Sequence, residues 1–240
     1  MATILYFILG TAGSHRRALL ADLVGEGLMP DDRAAVLLSA AEAPDAAGEA
    51  LLTKAGATLG RWTWAKPELE VELPEEATHV FLVADGRSDP IDQLEALREW
   101  LLARPFVQLG RVFFVADAAL LHAKPELQPW FDACVHYADV VALTKIEGIE
   151  QKWLNEFEKH YRSQHCPFLF EVARRDVFKN PAILLVPEAR RVSQVFDEEM
   201  ELADETDEEI EAAKPENDKY FARTRGGTRV EHLPRIADFL

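Results

Sequence analysis

Cysteine is scarce in this 240-residue sequence: the only two, Cys134 and Cys166, lie far apart and form no CxxC pair. A disulfide framework and a cysteine-rich metal site are therefore both excluded, and the two thiols read as reduced groups in or near a core. Positive charge is also in deficit, since 26 Lys and Arg stand against 42 Asp and Glu, a formal net charge of −16. Nucleic-acid binding needs clustered Lys and Arg against phosphates, and an anionic surface is repelled by acidic headgroups. No long hydrophobic run exists; the N-terminal apolar stretch, Ile4 to Leu9, is too short for a signal peptide or a membrane span and has no cationic segment before it. The expectation is a cytoplasmic protein with no nucleic-acid and no membrane partner. The seven histidines are scattered, and His160 and His165 miss the i, i+4 spacing of a helical two-His site, so no metal ligands are expected. Ser14 follows a glycine but lacks the G-x-S-x-G elbow of a hydrolase.

What is present is an alternation. Short apolar runs recur at TILYFIL (3–9), AAVLLS (34–39), HVFLVA (79–84), RVFFVA (111–116), DVVALT (139–144) and PFLFEV (167–172). Strands apolar on both faces belong inside a parallel sheet. Between them the apolar spacing is helical: Leu20, Leu23, Val24 and Leu28; Ile91, Leu94, Leu97 and Leu101; Leu127, Trp130, Phe131, Cys134, Val135 and Ala138; Ile149, Trp153, Leu154, Phe157 and Tyr161. Asp89 and Pro90 are a cap and a first residue for the second of these helices. The fold class is α/β with a mainly parallel sheet covered on both faces. The Ala- and Gly-rich stretch from Glu42 to Pro74 ends in the alternating LEVELP, which suggests a short edge strand or hairpin. After Pro187 the composition shifts, and residues 197–218 hold 12 acidic residues and one lysine. Such a run reads as a solvated helix or a disordered segment, and the division is a domain over 1–187 with an acidic extension over 188–240. The basic and apolar end of that extension could dock back on the domain.

Between the first strand and first helix lies GTAGSHRR (10–17). It fits the frame of a phosphate-binding loop, GxxxxGK[ST], in which backbone N–H groups cradle phosphates, the lysine reaches the β- and γ-phosphates and the hydroxyl holds Mg²⁺. His15 stands at the second glycine; if that position needs φ > 0, a side chain there costs about 1–2 kcal/mol. Arg16 keeps the lysine's charge, and Arg17 puts a cation where the Mg²⁺-binding hydroxyl belongs. The alternative is a plain tight turn at Gly10 and Gly13 with solvated arginines. Arginine at a helix N-terminus opposes the dipole by about 0.3–1 kcal/mol, a hint of a nearby anion.

Four segments in order then carry a resemblance to the CobW-like P-loop GTPases and metallochaperones. The first strand and loop match, with Leu19 and Leu20 in the helix. VADGRSDP (83–90) is similar to the family's Glu-Thr-x-Gly-Leu-Ala-Asp-Pro at Gly86, Asp89 and Pro90. FFVADA (113–118) resembles its Val-Val-Asp-Ala strand at Asp117 and Ala118, and ADVVALTKIEGI (138–149) its guanine motif Ala-Asp-x-x-x-x-Asn-Lys-x-Asp. The resemblance implies a three-layer P-loop NTPase-like domain over roughly residues 3–172. It assigns phosphate or nucleotide contacts to Gly10, Gly13, Ser14, His15, Arg16, Arg17, Asp85 and Gly86, and base contacts to Thr144, Lys145 and Glu147. The departures are equally specific. Val83 replaces the acidic residue that ends the Walker B strand; Asp85 could substitute for it or cap its own turn. No cysteine stands where the family's Gly-Cys-x-Cys-Cys motif falls, and its C-terminal domain is absent. Glu147 replaces an aspartate and could instead cap a helix beginning near Gly148.

Phosphoryl transfer depends on positioning and on Mg²⁺ and lysine electrostatics, and losing one preorganised group typically costs about 10²–10³ in rate. With several such groups changed, the reading is a catalytically degenerate GTPase-like protein without catalytic residues, acting as a binding or regulatory module through a protein partner. The alternative is a GTP-binding protein or weak GTPase that holds GTP, GDP or another phosphorylated ligand through Arg16 and Arg17. A dinucleotide-binding oxidoreductase is weaker still: GTAGSH does not meet G-x-G-x-x-G, and only Glu42 stands near the place of a ribose-binding acid.

Overall fold

A computed structural model describes residues 3–197 and 214–240, so most of the acidic run at 197–218 lies outside the described residues. Eight strands make one sheet: β1 (Thr3–Gly10), β2 (Ala34–Ser39), β3 (Thr58–Ala65), β4 (Glu68–Glu70), β5 (His79–Val83), β6 (Val107–Asp117), β7 (Val140–Thr144) and β8 (Leu169–Val172). Their order is β4-β3-β2-β5-β1-β6-β7-β8. Every neighbouring pair is parallel except β3 with β4, the edge hairpin that LEVELP suggested. The helices are α1 (Arg16–Gly27), α2 (Ala46–Lys54), α3 (Pro90–Leu102), α4 (Ala118–Ala123), α5 (Gln128–Tyr137), α6 (Gln151–Arg162) and the single turn α7 (Pro181–Leu184).

Both faces of the sheet are buried, and the pleat divides each central strand between them. From β1, Tyr6 and Ile8 join Leu19, Leu20 and Leu23 of α1, Leu52 of α2 and Leu184 of α7 on one face. Leu5, Phe7 and Leu9 join Leu94 and Leu97 of α3, Trp130 and Phe131 of α5 and Leu154 and Phe157 of α6 on the other. Each such side chain contributes about 1.5–3 kcal/mol by leaving water, which is why runs apolar at every position settle here as central strands. The protein is therefore a three-layer α/β structure. Asp89 caps α3 by accepting from Ile91 N at 2.9 Å, with Pro90 as the first helical residue.

Since α1 crosses one face on leaving β1 and α3 the other on leaving β5, the two adjacent strands diverge at their carboxyl ends. In open α/β sheets that divergence is where ligands bind. The loops that meet there are Gly10–Arg17 and 84–89.

Described residues after Pro187 pack onto the α3/α5 face, where Val195, Tyr220, Phe221 and Ile236 are buried in the same core. Two buried carboxylates hold it there. Asp139, with no exposure, accepts from Val112 N at 2.7 Å and Arg190 N at 2.5 Å and pairs with Arg191 at 3.2 Å. Asp218 gathers His136, Tyr137 and Ser193.

Candidate functional site

The turn after β1 is built from glycine geometry. Gly10 has φ +142, and a Cβ there would lie 2.7 Å from Val115 O. His15 takes the left-handed conformation, φ 65 and ψ 20, and Arg16 opens α1. The His15 ring does not fill the loop; it is half-exposed and pairs with Asp176 at 2.9 Å.

Arg16 turns inward instead. It is 5% exposed, and its guanidinium donates to Ala84 O and to the Glu42 carboxylate. Arg17 reaches the other oxygen of Glu42 at 2.7 Å and Asp45 at 3.2 Å. Glu42 is itself 7% exposed, so one buried carboxylate bridges two consecutive guanidiniums at the start of α1. Burial pulls the Arg16 pKa down, and the adjacent Glu42 opposes that pull. Asp45 caps α2 by accepting from Gly48 N at 3.0 Å; that bond, and then Arg17, hold its carboxyl below the usual range. The solvated arginines of the plain-turn reading are thus corrected: both are engaged by acids from the β2–α2 connection.

The loop amides are partly engaged as well. Ala12 N–H donates to Gly86 O at 2.9 Å and Ser14 N–H to Thr11 O at 3.1 Å. Gly86, φ +71, has no room for a Cβ, which would stand 2.5 Å from Ala12 N and 2.7 Å from Arg16 Nη2. The 84–88 loop is thereby closed onto the glycine-rich loop. Asp85 caps its own turn, accepting from Arg87 N and Ser88 N at 2.8 Å and from the Ser88 hydroxyl at 2.5 Å. Val83 is buried with the α1 face. The Thr11 and Ser14 hydroxyls are buried without a partner among the described residues.

Thr144 and Lys145 stand against the same loop. The Thr144 hydroxyl donates to Ser14 O at 3.1 Å or Ala116 O at 3.2 Å. Lys145, left-handed at φ 51, donates to Asp117 at 2.7 Å, and its Nζ lies 4.0 Å from where a Cβ on Gly13 would sit. Asp117 also caps α4 through Leu120 N. Glu147 is set apart, exposed on the turn before α6. It caps no helix: α6 begins at Gln151 with Glu150 at its N-cap position, which corrects a start near Gly148.

The structure thus brings Gly10, Gly13, Ser14, Arg16, Arg17, Gly86, Thr144 and Lys145 to one place, with Asp85 beside them and His15 at the rim. Sequence reasoning missed Asp45 as a partner of Arg17, Asp117 as the partner of Lys145, and Glu42 as the anion between the arginines. The available signal was the pair of cations at a helix start, which requires an acid, and the nearest acids after β2 are in AAEAPD (40–45).

Among the described residues no helix is long and apolar enough to cross a membrane. No family model and no curated protein matches this sequence. Solved structures do match. The Zn(II)-bound YjiA GTPase from E. coli aligns at 14% identity over 79% of this chain and 67% of that one, with a TM-score of 0.44. The signal recognition particle receptor FtsY from Elizabethkingia anophelis, in complex with GDP, aligns at 15% identity over 62% of this chain and 50% of that one, with a TM-score of 0.40.

Proposed function

We propose that this chain is a P-loop-derived domain whose phosphate cradle is filled by its own Glu42, and that it works without nucleotide turnover as a binding or regulatory module for a protein partner in the cytoplasm. The observation that carries this reading is the bridge Arg16–Glu42–Arg17. A carboxylate presents to two guanidiniums the same planar pair of acceptors that a phosphate would. While it stays, a triphosphate must displace a buried, doubly paired acid before meeting any cation of α1. The Mg²⁺ chemistry is missing separately, with Arg17 at the hydroxyl position, Val83 at the acidic position and Asp85 engaged in its own turn. Without those groups the electrostatic stabilisation that drives phosphoryl transfer is lost.

The test is calorimetric titration of the purified chain with GTP and GDP, with and without Mg²⁺, beside a phosphate-release assay. The expected result is no Mg²⁺-dependent binding and no release above background. Mg²⁺-dependent binding with turnover that disappears in Arg16→Ala would overturn the reading.

One observation favours a second reading, a nucleotide or other phosphorylated ligand held without Mg²⁺. The buried hydroxyls of Thr11 and Ser14 have no partner among the described residues and lie in the loop that Lys145 overhangs. Under that reading Glu42→Gln tightens GDP binding, because the bridging charge is gone while the arginines remain. Under the first reading the parent chain binds no GDP with or without Mg²⁺, and binding appears only once the Glu42 charge is removed.

A further inference from the structure

A second cleft lies outside the cradle, and its volume of about 390 Å³ is within the range of small-molecule sites. Three segments that are distant in sequence form it: the end of β3 and the turn after it, the loop entering α3, and the C-terminal stretch 233–237. The first two follow the carboxyl ends of strands β3 and β5, where open α/β sheets receive ligands.

The lining includes apolar side chains and cationic ones. Trp64, Leu233 and Pro234 supply the first, and Arg87 and Arg235 the second. Lys66 stands over the Trp64 ring at 5.7 Å from its centroid. Of the two acids on the lining, Asp92 is paired and Asp89 has one oxygen in a helix cap. Asp89 accepts from Ile91 N in the α3 cap, and Asp92 pairs with Lys66 and, at 2.7 Å, with Arg229. Neither the Arg87 nor the Arg235 side chain has a hydrogen bond or ion pair among the described residues. The unpaired cations of the cleft are therefore Arg87 and Arg235, two planar forks suited to oxyanions, in a chain whose net charge of −16 otherwise repels anions.

We infer that this cleft binds a small organic anion, an apolar body against Trp64, Leu233 and Pro234 carrying a carboxylate or phosphate held by Arg87 and Arg235. The site does not involve Arg16, Arg17 or Glu42, although Arg87 belongs to the 84–88 loop that closes onto the glycine-rich loop.

Phenyl phosphate and benzoate are suitable probes, since they share the apolar ring and differ in the anion. Each is titrated into the full chain by calorimetry and by tryptophan fluorescence, with inorganic phosphate as the probe lacking an apolar body. The expected result is saturable binding of at least one ring-bearing probe, tighter than inorganic phosphate. Which of the two binds better identifies the anion. Arg87→Gln with Arg235→Gln is expected to weaken binding about tenfold or more, the loss of one to two charge-assisted hydrogen bonds. Both side chains are exposed, so the melting temperature of that variant should stay near the parent's. Trp64→Phe should remove the fluorescence change while heat of binding remains. The inference fails if neither ring-bearing probe saturates by about 10 mM, a Kd too weak to matter. It fails equally if binding is undiminished in the double arginine variant.

Discussion

Glu42→Ala is expected to lower the stability of the folded chain by about 3–5 kcal/mol, the range for removing one partner of a buried ion pair. At roughly 2–4 °C per kcal/mol for a chain of this size, the melting temperature should fall by about 6–20 °C. Arg16 is 5% exposed and locked between Ala84 O and the backbone at Gly86, so it cannot swing into water when its counterion is removed. The positive end of the α1 dipole then adds its own repulsion. Arg17 is 18% exposed and its second partner, Asp45, 44% exposed, so Arg17→Met should cost about 1 kcal/mol or less. Arg16→Met combined with Glu42→Leu should recover most of the loss, because the desolvation of both charges is removed together. Calorimetric or urea melts of the four chains read this directly. A Glu42→Ala chain as stable as the parent would mean that the bridge holds nothing. The same variant also tests the filled cradle. Millimolar pyrophosphate should raise the melting temperature of Glu42→Ala, where the two guanidiniums are left without their shared acid, and leave the parent unmoved.

The reason this bridge was not legible in the sequence is instructive beside what was. The six apolar runs became strands β1, β2 and β5–β8; for the five inside the sheet, burial on both faces rewards unbroken apolar character, which is a local signal, while β8 is the half-buried edge. Asp89–Pro90 was likewise readable, because a cap and its helix are adjacent in the chain. The partner of Arg16 lies 26 positions away, and only the sheet order, which sets β1 beside β5 with β2 next, brings the 40–45 turn to the head of α1. Asp117 with Lys145 is the same kind of pair, made by β6 and β7 lying side by side. Strand β6 shows the opposite failure. It begins at Val107, four residues before the run RVFFVA, because 107–109 pair with Thr3, Ile4 and Leu5 of β1, and Arg111 sits within the strand as a buried residue. Its guanidinium reaches the carbonyls of Ile183, Leu184 and Glu188, satisfying the end of α7 from below. A charge at that point in a sequence reads as a boundary unless the acceptors it will meet are known. The two features that most define the candidate site, a filled cradle and a closed 84–88 loop, are both products of tertiary contact. The motifs named the residues of the candidate site, and tertiary packing sets which partners they meet.

Acid should unfold this protein partly through Asp218, and Asp218→Asn should flatten that dependence while lowering stability at neutral pH. Asp218 joins the C-terminal segment to α5: it accepts from the Tyr137 hydroxyl at 2.5 Å, the Ser193 hydroxyl at 2.7 Å and the amides of Tyr220 and Phe221 at 3.0 and 3.2 Å, and meets His136 at 2.8 Å. Burial pushes its pKa up, but the hydrogen bonds and charge of His136, with those of Tyr137 and Ser193, outweigh burial and hold the carboxyl well below the usual range. A folded pKa depressed below the unfolded value of 3.8 means that the stabilisation is fully present above about pH 5. It is then lost progressively as pH falls through 3.8 toward the lower folded value. In the parent chain, melting temperature should therefore drop steeply below about pH 4. Asp218→Asn removes the charge and replaces one acceptor oxygen with an NH₂ donor that faces hydroxyl or amide donors. Its cost at pH 7 should be about 2–4 kcal/mol, within the range for breaking a buried hydrogen-bonded charge. Because Tyr220 and Phe221 are buried in the α3/α5 core directly after the carboxylate, the first region to open should be residues 215–221. Amide exchange at Tyr220 and Phe221 should accelerate more than at Leu5 or Phe114 in the sheet. If the variant follows the parent's acid profile point for point, the carboxylate contributes nothing to the attachment, and the C-terminal segment is held by its apolar side chains and the arginine pairs at Asp92, Glu95 and Asp139 alone.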